Sequence, residues 1–129
     1  MDRANARPGA LIAGGQYLSL GAARNLAKHG VPVHILDSGS CVARFSTCVR
    51  GLFKSPPQAE DARVVEFLLS IATERHLSNW VLFPSTDDYV RIFSQHRERL
   101  GEQYRVTTPP WEVVKFLYDK RLTHRLAVE

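Results

Sequence analysis

Apolar and polar positions follow two rhythms along this chain. Short unbroken apolar runs, such as "ALIA" and "WVLF", alternate with longer stretches whose apolar residues recur every three or four positions. The first run, "GALIAGG", closes on Gly14 and Gly15 and predicts a buried strand ending in a tight turn. The next stretch places Leu18, Ala22, Ala23, Leu26 and Ala27 on one helical stripe, with Gly30 as the residue that stops it. "VPVHILD" is rich in β-branched residues and predicts a second strand ending at Asp37. Strand, helix and strand in this order make a crossover unit, which implies parallel strands.

The pattern then repeats with variations. A loop from Ser38 leads to a short third strand around Val49–Phe53, and "SPPQ" ends that segment. A helix comes next, with Val64, Phe67, Leu68, Ile71 and Ala72 as its inner face and Glu60 and Asp61 at its start. "NWVLFPS" reads as a fourth strand. "DDYVRIFSQHRERL" reads as a helix with Val90, Phe93 and Arg97 on one side. "YRVTT" is a fifth strand cut off by Pro109 and Pro110. Two helical stretches close the chain, the second with Asp119 as its N-cap. Strands that are apolar throughout are covered on both faces. The expected fold is therefore α/β: a Rossmann-like, doubly wound α/β/α domain with a mostly parallel sheet of about five strands. Residues 1–8 read as a disordered polar tail, 9–118 as the domain, and 119–129 as the start of a further helix. That last helical pattern reaches Glu129 without a stop signal, which suggests a domain boundary nearby.

Composition narrows the partners. The 129 residues carry a net charge of +4, but the arginines are scattered from Arg3 to Arg125. A nucleic-acid binder concentrates such charge on one face or in a tail, so no nucleic-acid partner is expected. The N-terminus has no apolar core of signal-peptide length and no run is long enough to span a membrane. Cys41 and Cys48 fit neither a C-x-x-C pair nor a zinc knuckle and read as two reduced thiols. A soluble cytoplasmic protein with no membrane partner is the expectation.

In a doubly wound sheet ligands bind at the carboxyl ends of the strands. Three stretches are expected to meet there: "AGGQYLS", "DSGS" and "PSTDD". Gly14 and Gly15 allow close backbone approach, and the next helix aims its N-terminus at the same point, which suits an anion. The pattern lacks the Gly-Lys-Ser/Thr of a P-loop and breaks the G-x-G-x-x-G spacing. Asp37 stands where dinucleotide-binding folds hold ribose, and equally where an aspartate caps a turn. Ser85 or Thr86 suits a helix cap, and Asp87 and Asp88 then lie in a favourable first turn. Two adjacent acids without a histidine or cysteine make a poor metal site, so none is assigned. No nucleophile has a base partner, and the catalytic residues stay unknown.

Four stretches taken in order resemble a known family: "LIAGGQYLSLGAARNLAKHGVPVHILD", "RFSTCVRGLFKSP", "WVLFPSTDDYVRIFSQHRERL" and "LYDKRLTHRLAVE". Together they look like the pre-ATP-grasp domain of ATP-grasp carboxylate–amine ligases, of the D-aspartate-ligase and carbamoyl-phosphate-synthase type. The likeness covers about Ala10 to Glu129. It implies that Gly14, Gly15 and Gln16 border a carboxylate or phosphate pocket, and that Ser85, Thr86, Asp87 and Asp88 line its substrate side. It implies that Lys120 reaches ATP phosphates. ATP and Mg2+ would serve the full-length enzyme, with small-molecule carboxylate and amine substrates as partners; none is expected bound to this stretch alone. A downstream ATP-grasp domain would carry the magnesium-binding acids, so this stretch alone is expected to be inactive. A homodimer stays open, as do two other readings: an NAD(P)-binding Rossmann domain using Gly14, Gly15 and Asp37, and a non-catalytic interaction module exposing Trp111, Phe116 and Leu117.

Overall fold

The computed structural model describes residues 7–128, so most of the expected polar tail, residues 1–6, lies outside the described residues. Five strands form one sheet: β1 (Ala10–Ala13), β2 (Val33–Asp37), β3 (Gly51–Lys54), β4 (Val81–Pro84) and β5 (Arg105–Val106). Their order is β3-β2-β1-β4-β5, and every pairing is parallel. Six α-helices join and cover them: α1 (Tyr17–Lys28), α2 (Asp61–Glu74), α3 (Asp87–Gln95), α4 (Arg97–Gly101), α5 (Trp111–Tyr118) and α6 (Lys120–Val128). This is a Rossmann-like three-layer α/β fold, as the alternation of strands and helices requires.

The central strands are apolar throughout because both their faces are covered. On one face Leu11, Ala13, Leu36 and Leu82 pack with Val64, Leu68 and Ile71 of α2, Ile92 and Phe93 of α3, and Leu100 of α4. On the other, Ile12, Val33 and Ile35 pack with Ala23 of α1 and with Ala43 of a short 3-10 turn. Two polar ties brace the larger layer. The Tyr104 hydroxyl donates to the Leu68 carbonyl at 2.7 Å. Arg91 on α3 pairs with Asp61 at the start of α2 at 2.5 and 3.0 Å, and holds that carboxyl below its ordinary range.

Three helix faces differ from the sequence expectation. Of the expected α1 stripe, Ala23 is buried, while Leu18 and Ala22 are exposed. The inner face of α3 is Tyr89, Ile92 and Phe93; Val90 is half-buried. Arg97 belongs to a separate helix, because the chain breaks at His96 (φ −110°, ψ 25°). An unbroken helical phase carried through that break puts Arg97 on the wrong side. In α2, Val65 is buried and Phe67 only half-buried.

At the amino end of the sheet His34 stacks on Trp80 (4.7 Å between centroids) and meets Phe53 edge-on (5.5 Å). Burial pushes its pKa below 6.5, and the Arg50 and Arg75 charges add to the shift, against an opposing contact from the Gly51 backbone. The unfolded chain then binds the proton more readily than the folded one. Stability is expected to be complete above pH 6.5 and to fall as pH drops through the lower folded value. Denaturant midpoints measured between pH 7 and about 5 check this. His34→Phe should flatten the slope over that window, and an unchanged slope would assign the loss to other groups.

Candidate functional site

The sheet changes direction between β1 and β4. From β1 the chain crosses to β2 on one side; from β4 it crosses to β5 on the other. The loops leaving these two strands diverge to opposite faces and leave a crevice at their carboxyl ends, where doubly wound folds bind ligands.

One lip of the crevice is the glycine turn. Gly14 has φ +112°, a region that favours glycine. A Cβ at Gly14 would collide with the Ser85 hydroxyl, so the Ser85 side chain fills the space that any other residue at Gly14 would need. A Cβ on Gly15 would meet Cys41 Sγ at 2.5 Å and Asp37 Oδ2 at 2.8 Å. Gln16 is the N-cap of α1 and its side chain makes no capping bond; the first turn of α1 holds no acid. The amides of its first turn meet no side-chain acceptor from the helix itself, and the one carboxylate beside this helix start is Asp37, on the Gly15 amide.

The other lip is the Ser85–Asp88 loop. The Ser85 amide and hydroxyl both donate to the Ala13 carbonyl, at 2.9 and 2.8 Å. Buried Ser19 on α1 donates to the Ser85 hydroxyl at 2.9 Å. Thr86 caps α3, its hydroxyl accepting from the Tyr89 amide at 3.4 Å. Asp87 and Asp88 are exposed in the first turn. The two lips thus carry opposite electrostatic character: α1 offers unfilled donors, whereas α3 has its own two acids. An anionic group suits the first and a cationic or amino group the second.

Asp37 joins these parts. Its Oδ2 accepts from the Gly15 amide at 2.9 Å and its Oδ1 from the Ser38 amide at 2.8 Å, with the Gly39 amide at 3.5 Å. The aspartate ties the end of β2 to the glycine turn, a turn-capping role.

The structure brings Gly14, Gly15, Ser85 and Thr86 together, with Gln16, Asp87 and Asp88 on the adjoining helix starts. Lys120 is not among them. It is exposed on α6, which packs against α5 and buries no residue, and it does not line the cavity beside β4. Asp119 is the expected cap of α6: its Oδ1 accepts from the Arg121 amide at 3.0 Å.

Three residues beside the crevice escaped the sequence reading: Ser19, Cys41 and Tyr89. Tyr89 is fully buried, and its hydroxyl has no hydrogen-bond partner. Burial raises its pKa, while Ser55, Gln58 and Ser38 nearby oppose that and the Asp37 charge reinforces it. Ser19 was legible as a polar residue on the inner stripe of α1, between Gln16 and Ala23.

Among the described residues no three His, Cys, Asp or Glu side chains gather as a metal site. The residues present fit an anion at the start of α1. They do not fit magnesium, and with Lys120 elsewhere they make no phosphate clamp for a nucleotide. Among the described residues no helix is long and apolar enough to cross a membrane. No family model and no curated protein matches the chain.

Proposed function

We propose that the chain is the N-terminal, substrate-side domain of an ATP-dependent carboxylate–amine ligase acting through an acylphosphate, a soluble cytoplasmic enzyme. The observation that carries the proposal is the closure of the glycine turn on the Ser85–Asp88 loop across β1 and β4. In the proposed reaction ATP held by a downstream domain would supply the phosphoryl group that activates the carboxylate, and magnesium there would neutralise the phosphate charge. The residues of this chain bind and orient. The amino end of α1 holds an anionic group of the substrate, and Asp87 and Asp88 attract its cationic or amino group. Lys120 would join the site only if the downstream domain turns α6 toward it.

The NAD(P) reading draws less support, because the Asp37 carboxylate already serves backbone amides at both oxygens. The interaction-module reading draws support from the exposed Leu117 on α5.

The proposal is tested in the full-length protein by trapping an acylphosphate with hydroxylamine in the presence of ATP and candidate carboxylates. Asp87→Ala and Asp88→Ala are each expected to lower kcat/KM at least tenfold. Their dipole contribution to stability is only about 0.3–1 kcal/mol, so melting should shift little. Wild-type turnover with a lowered melting point would leave both acids as helix-start residues alone. A reading frame that stops directly after Glu129 would remove the ligase reading.

A further inference from the structure

A groove of about 590 Å³ opens beside β4 on the α1 face of the sheet. It exists because of the connectivity. The helices after β4 pass to the opposite face, and α1 covers only the β1–β2 half of its own. Leu18, Ala22, Leu26, Phe83 and Val90 line the groove, and Leu18 and Phe83 are 76% and 38% exposed. Among the described residues the only charged one lining it is Asp87, with Asp88 next to it in the chain.

The same chain carries a helix of matching character whose apolar side is left uncovered. α6 buries no residue among those described. Leu122 and Leu126, four apart, form its apolar stripe, and Leu126 is 53% exposed. Lys120, Arg121 and Arg125 are its three positive charges; Arg121 is paired with Asp119, which leaves Lys120 and Arg125 to face a partner. A helix this short is marginal in water without packing against something. An apolar stripe flanked by arginines complements an apolar groove flanked by aspartates, in the manner of helix-in-groove recognition.

We propose that the protein forms a homodimer in which α6 of each copy occupies the groove beside β4 of the other. No residue of α5 or α6 lines the groove of its own chain. Asp119 alone links the two helices; the Thr123 amide donates to the Asp119 carbonyl and the Thr123 hydroxyl to the Phe116 carbonyl at the end of α5. α5 in turn packs on α3, across the sheet from α1. Reciprocal exchange satisfies two-fold symmetry and uses the same helix-in-groove contact twice. The groove includes Ser85, Thr86 and Asp87, so α6 of the partner copy would cover one lip of the crevice; the dimer is argued from the groove and α6 alone and does not depend on the ligase reading.

Sedimentation velocity on the 129-residue chain over about 1–200 µM tests the proposal. The expected result is a concentration-dependent dimer that weakens as salt screens the charged rim. Leu126→Asp on the helix and Leu18→Asp in the groove both alter exposed positions, so circular dichroism should stay unchanged. Each is expected to weaken self-association at least tenfold. Mixing the two variants should restore part of it, because one supplies an intact groove and the other an intact helix. A wild type that stays monomeric throughout would overturn the proposal. So would a dimer that neither substitution disturbs, or a mixture that associates no better than either variant alone.

Discussion

Gly14→Ala is expected to destabilise the domain by about 2–4 kcal/mol, lowering its melting temperature by roughly 10 °C. Two causes add. A non-glycine residue at φ +112° is strained, and the new methyl group would enter the space of the Ser85 hydroxyl. The second cause is separable from the first. Ser85→Ala removes the colliding oxygen and leaves the backbone strain. It also frees the Ala13 carbonyl of one of two donors and leaves the buried Ser19 hydroxyl without its acceptor, a loss of about 1–3 kcal/mol by itself. The double variant Gly14→Ala/Ser85→Ala should therefore be more stable than the sum of the single effects predicts, by about 1 kcal/mol or more. Additivity in a double-mutant cycle of urea unfolding would show that Ser85 does not set the spacing of the two lips.

Asp37→Ala is expected to cost about 2–4 kcal/mol, because the buried Gly15 amide and the Ser38 amide lose a charged acceptor together. Asp37→Asn keeps one carbonyl oxygen and should cost about half as much, since one amide stays bonded. Urea unfolding of the three proteins measures both values. If both substitutions leave stability unchanged, the carboxylate is free for a ligand and the turn-capping role is wrong.

Much of this architecture was legible in the sequence because its signals are local. An apolar run closed by Gly14 and Gly15 specifies a strand and turn, Gly30 with φ +76° stops α1, and Thr86 caps α3. The errors arise where tertiary closure decides. Leu18 and Ala22 fall on the apolar side of α1 by periodicity, yet the chain's connectivity leaves that flank of the sheet uncovered. Arg97 was misassigned because the pattern does not mark the break at His96; Val90, upstream of it, sits half-buried at the edge of the inner face. Asp37 was legible as a strand-end acid; that it bonds the Gly15 amide, 22 residues away, comes only from β1 and β2 lying side by side. Lys120 entered through resemblance alone, and no local signal fixes where α6 points.

The central claim is that the crevice between β1 and β4 receives a small substrate bearing an anionic group. Amide chemical shifts of the 15N-labelled chain, followed while D-aspartate, inorganic phosphate or NADH is added, test it most directly. The expected result is a saturable shift with D-aspartate, with a dissociation constant in the millimolar range or weaker, about 4 kcal/mol of binding or less. The shifts should include Gly15, Gln16 and Tyr17 on one lip and Thr86, Asp87 and Asp88 on the other. Phosphate should move the first lip alone. Shifts confined to NADH and centred on Asp37 would contradict the claim, as would amides at both lips that respond to none of the three.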